Sequence, residues 1–105
     1  MKIDFKALFE EMTNAAGKSL GKDAPKLRAC VKQAFAEEKQ ALREIADARL
    51  AGEITDAELK SQLVDEKDTL RAALLACEVQ TKAAAQKAVN AALKVFTEAV
   101  KAALP

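Results

Sequence analysis

Histidine, tryptophan and tyrosine are absent from this 105-residue chain. Without histidine there is no triad base of the usual kind, no imidazole metal ligand and no Glu-x-x-His pair of the sort that builds carboxylate metal bundles. Glycine occurs three times, and proline and cysteine twice each. Two cysteines, Cys30 and Cys77, are too few and too far apart in sequence for a zinc site or a Cys-x-x-Cys motif. No run approaches 18 uncharged apolar residues, so no spanning helix is expected. The start, Met1 to Phe5, carries an early acid and no long apolar core, unlike a secretory leader. The cytoplasm is the expected compartment, with both thiols reduced as small apolar fillers.

What is present is alanine and charge. Half of the residues are apolar and four phenylalanines supply the aromatic volume, while the net charge is only +1. Such a balance gives no overall pull toward nucleic acid or membrane surfaces. An alanine-heavy core contributes little transfer free energy per side chain, so close helix approach or an oligomer interface has to compensate.

Helix ends are legible. Asp4 is placed as an N-cap, with Ile3 and Leu8 as a hydrophobic staple around it. Phe5, Leu8, Phe9, Met12, Ala16 and Leu20 form one stripe, which favours a first helix over 4–20 ending at Gly21 rather than at Gly17. Pro25 suits the first turn of a second helix, over 24–51, with Gly52 just beyond its cap. Thr55-Asp56-Ala57-Glu58 is a capping box, with Ile54 and Leu59 as a second staple. Only Gly52 to Ile54 then remains as a loop, so the flanking helices are antiparallel neighbours.

From Thr55 to Leu104 there is no glycine or proline. One helix over 55–104 would be roughly 75 Å long. Its first third carries a narrow stripe of Leu59, Leu63, Leu70 and Leu74. From about Ala83 the apolar arc widens past half the circumference, which demands neighbours on at least two sides. The expected fold is therefore all-α. It is a helical hairpin with a broken first arm, helices one and two, and a very long C-terminal helix, paired with a second copy into a bundle. The alternative breaks the third helix near Gln80 to Lys82 and closes a monomeric four-helix bundle. On the first reading Val89, Leu93, Phe96 and Val100 form the interface of a homodimer.

Two carboxylates interrupt apolar stripes at one level of the hairpin: Glu38 between Ala34 and Ala41, and Glu66 between Leu63 and Leu70. Such a pair can share a proton or contribute to a divalent metal site. The simpler reading has Lys39, Lys67 or Arg71 neutralise them, since an unpaired buried charge is costly. Cys30 and Cys77 also fall at one level, but packed helix axes 8–10 Å apart argue against a disulfide. Charge is segregated: residues 37–78 carry eleven acids and six bases, and the rest five acids and eleven bases. The basic end has no aromatic or glycine interleaving of the kind that stacks on nucleic-acid bases.

No family motif is recognisable, and no cofactor, metal or catalytic residue is assigned. The functional expectation is a non-enzymatic helical protein that pairs with itself and serves as a protein–protein interaction or scaffold module. A second class, an amphipathic protein coating lipid or a hydrophobic granule, rests on residues 82–104. Alanine dominates the apolar face of that segment, which suits helix packing better than lipid.

Overall fold

The five helices among the described residues follow closely from the local signals of the sequence, with two breaks added. The computed structural model describes residues 3–21, 24–79 and 81–105. Helices α1 (Phe5–Leu20), α2 (Ala24–Glu37), α3 (Lys39–Leu50), α4 (Asp56–Ala76) and α5 (Lys82–Ala103) make up an all-helical bundle, 86% helix, with no strand among the described residues.

The caps are where the side chains put them. Asp4 accepts a hydrogen bond from the Ala7 N–H at 3.2 Å and starts α1. Thr55 accepts from the Glu58 N–H at 3.2 Å, and Glu58 accepts from the Thr55 N–H at 3.0 Å, which completes the capping box of α4. Two helix ends share one terminating motif, in which the residue after the cap takes a left-handed conformation. After α3 that residue is Gly52, with φ 77°. Its N–H donates to Arg49 O at 3.1 Å, and the Glu53 N–H donates to Ala48 O at 2.9 Å. After α4 the same position is held by Glu78, with φ 68°. Its N–H donates to Leu75 O at 3.1 Å, and the Val79 N–H donates to Leu74 O at 3.3 Å.

That second motif overturns the unbroken helix over 55–104. The chain leaves α4 in the turn at Cys77 to Val79, and Thr81 caps α5 by accepting from the Ala84 N–H at 3.0 Å. The physical reason is tertiary. A straight rod would leave the wide arc of α5 in water, whereas the turn lays that arc against α1 and α4 of the same chain. The bundle measures 39 × 23 × 18 Å with a radius of gyration of 13.3 Å, close to the value of about 13 Å usual for a compact domain of this length. The folded-back arrangement is thus the closed bundle, not the long hairpin.

The helix expected over 24–51 is also divided. Glu38 (φ −98°, ψ 4°) separates α2 from α3, and its N–H donates to Phe35 O at 3.2 Å as the chain tightens for one residue. The break falls at the carboxylate that sits on the otherwise apolar face, and Glu38 stays half-buried there. One core runs through all five helices, with Met12, Phe35, Leu42, Leu70, Leu74, Val89 and Phe96 fully enclosed. α1 makes its most extensive packing against α5, and α4 packs on α5 from another side.

Candidate functional site

Val89, Leu93, Phe96 and Val100 lie at 0, 3, 0 and 1% exposure within a single chain. α1 and α4 cover them, so the width of the α5 arc no longer requires a second copy. The same burial bears on the lipid-coating idea, because the apolar face of residues 82–103 is already occupied by protein. Among the described residues, no helix is long and apolar enough to cross a membrane.

Cys30 and Cys77 form a disulfide with Cα atoms 5.7 Å apart, linking α2 to the cap of α4. Axis separation misled the sequence-based expectation of two free thiols. Each Cα stands about 2.3 Å off its helix axis, so facing positions on axes 10 Å apart approach to about 5.5 Å. Cys77 is buried and Cys30 is exposed.

Glu38 and Glu66 do meet, as their register implies. Burial first, then the hydrogen bond and negative charge of Glu38, push the Glu66 carboxyl from its usual value near 4.5 up to about 7. Asp65 adds a smaller effect of the same sign. Glu66 Oε2 is buried without a hydrogen-bond partner. Of the expected neutralising cations, Arg71 and Lys39 are engaged elsewhere, and none of the three forms an ion pair with Glu38 or Glu66 among the described residues. Arg71 reaches Asp68 at 3.3 Å and Gln86 at 3.1 Å, and Lys39 Nζ sits 5.6 Å from the Phe9 ring centre. Below about pH 7 a proton on Glu66 thus takes the place of the expected lysine or arginine partner. Among the described residues no three Asp, Glu or Cys side chains are grouped to hold a metal ion.

Sequence reasoning missed a long groove between the antiparallel helices α1 and α2. It runs in two adjoining sections of about 380 and 490 Å³ that share Thr13, Asn14 and Arg28. Phe9, Val31 and Phe35 contribute its apolar floor. Lys6, Lys18, Arg28, Lys32 and Lys39 stand along its walls, against one carboxylate, Glu10. The ion pairs among the described residues join Arg43 to Asp47, Arg49 to Asp56 and Arg71 to Asp68, so none engages these five cations. At the α3 end Arg43 lies 5.0 Å over the Phe5 ring, which itself stacks on Phe9 at 6.1 Å. From Lys6 to Leu20 the groove follows α1 for about 20 Å. The only signal available beforehand was the excess of bases outside residues 37–78; which of them share one cleft depends on the α1–α2 pairing.

No protein family, curated protein or solved structure matches the chain. The geometry is the sole guide to function.

Proposed function

We propose that this chain is a small helical interaction module whose α1–α2 groove docks an acidic, amphipathic helix of a partner protein. The observation that carries the reading is the groove itself: an apolar floor of Phe9, Val31 and Phe35 under five cations and one carboxylate, covered by no helix among the described residues. Helices commonly dock by laying an apolar face into such a cleft, and complementary charge sets orientation and encounter rate. A small ligand fits less well, since specific small-molecule sites enclose most of the ligand's surface and this cleft is open along its length.

The reading is one of binding, without a reaction. Self-association through a preformed α5 face has lost its motive, because that face is filled from within. The Cys30–Cys77 bridge favours an oxidising compartment over the cytoplasm expected from the sequence.

The test is a fluorescence anisotropy titration with a leucine-striped, glutamate-rich helical peptide of about four turns. A scrambled peptide of the same charge serves as control. The striped peptide should bind at least about tenfold more tightly than the scrambled one, and its affinity should fall with added salt. The R28E, K32E double variant should abolish the difference. Equal binding of both peptides, or undiminished binding by the variant, overturns the proposal. Preferential binding to anionic vesicles would replace the partner helix with a lipid surface.

A further inference from the structure

The turns after α3 and after α4 share one hydrogen-bonding motif but not one residue type. Gly52 takes its φ of 77° without cost, having no Cβ. Glu78 takes φ 68° at the same position, where a Cβ crowds the backbone. Residues 76–82, Ala-Cys-Glu-Val-Gln-Thr-Lys, contain neither glycine nor proline. Local preference across this junction is therefore for continued helix. The turn is held by what lies beyond it: the Thr81 cap, and the burial of α5 against α1 and α4. Neither the α1–α5 nor the α4–α5 packing specifies which chain supplies α5.

We propose that two copies of this chain exchange α5 through the α4–α5 turn. In the exchanged pair residues 56–103 form one helix. The arc containing Val89, Leu93, Phe96 and Val100 leaves its own α1 and packs in the same way on α1 and α4 of the second copy. The contacts of the α5 arc are kept, while Val79 gives up its buried place in the turn and two left-handed glutamates are released into helix, which is the usual logic of segment exchange. The disulfide joins α2 to α4, both on the same side of the hinge, so it stays within each half and exchange proceeds with it intact. The α1–α2 groove takes no part, so the inference stands apart from the peptide-docking function.

Two substitutions push the equilibrium in opposite directions. Glu78→Gly removes the crowding in the turn and weakens the joined helix. It should disfavour exchange by about thirtyfold per hinge, or about a thousandfold for a pair with two hinges. Thr81→Ala removes the cap that only the closed form uses and adds a strong helix former. It should favour exchange by about fivefold per hinge, or about 25-fold for the pair. The readouts are sedimentation and a spin-label distance between Lys60 and Lys101, labelled through non-canonical amino acids and diluted with unlabelled chain. These two residues line one cleft in the closed fold. In a joined helix they stand about 60 Å apart within a chain. After refolding at several hundred micromolar, T81A should sediment at twice the 11.3 kDa chain mass with the long distance, and E78G should remain single with the short one. A T81A protein that stays single, a pair that keeps the short distance, or an E78G protein that pairs as well as T81A overturns the proposal.

Discussion

Replacing Glu66 with glutamine should flatten the pH dependence of stability between about pH 4.5 and 7, and the size of the effect follows from the site. The folded carboxyl titrates at about 7 because of its burial and of Glu38 beside it, against about 4.5 when unfolded. The folded state thus binds the proton more tightly, so stability is full below the unfolded value and is lost as pH rises through the folded one. Unscreened, that displacement corresponds to about 3 kcal/mol. Glu66 is partly open to water, and solvent screening reduces the figure to about 1–2 kcal/mol. For a domain of this size the melting temperature should be about 4–16 °C higher at pH 5 than at pH 8. The chain has no histidine to add to the change in this window. The assay is thermal unfolding by circular dichroism at fixed ionic strength. Glu66→Gln should raise stability at pH 8 and leave the two pH values nearly equal. A wild type more stable at pH 8, or a variant as pH-dependent as the wild type, would refute the reasoning.

Other outcomes follow from single features. Reducing Cys30–Cys77, which spans 47 residues of sequence, should lower stability by up to about 4 kcal/mol, read as a fall in the denaturant midpoint; an unchanged midpoint would show that the bridge constrains nothing. Thr55→Ala removes a bond of the α4 capping box and should cost about 1 kcal/mol in the same assay. Phe96→Ala should cost about 3–5 kcal/mol, read as a loss of melting temperature, because Phe96 is fully enclosed in the core. Manganese, iron or zinc should leave the melting temperature unchanged, since a ligand stabilises only a state that binds it; a rise abolished by Glu38→Gln with Glu66→Gln would make this pair a metal site.

Much of the helical pattern was legible because it rests on local chemistry. Asp4, Gly52 and the Thr55–Glu58 box each satisfy backbone groups a few residues away, and the structure shows those bonds. The α4–α5 turn was illegible for the converse reason. Its terminating motif uses glutamate where glycine is the usual signal, and only the burial of α5 makes that conformation worthwhile. Thr81 was the one available hint, as a capping residue without a glycine before it. The Glu38–Glu66 meeting was readable from register, but its neutralisation was not: Lys39 faces Phe9 and Arg71 faces Asp68 and Gln86, a matter of which helix packs where. The groove was likewise out of reach. Lys6, Lys18, Arg28 and Lys32 are scattered in sequence and gather only because α1 and α2 lie antiparallel.

The central claim, that the α1–α2 groove is the face this protein presents to a partner, is tested most directly by amide and methyl chemical-shift mapping. The labelled protein is titrated with the acidic striped peptide. The account predicts progressive shifts confined to residues around Phe9, Thr13, Arg28, Val31 and Phe35, with α4 and α5 unchanged. Shifts centred on another face, or none at saturating peptide, would contradict it.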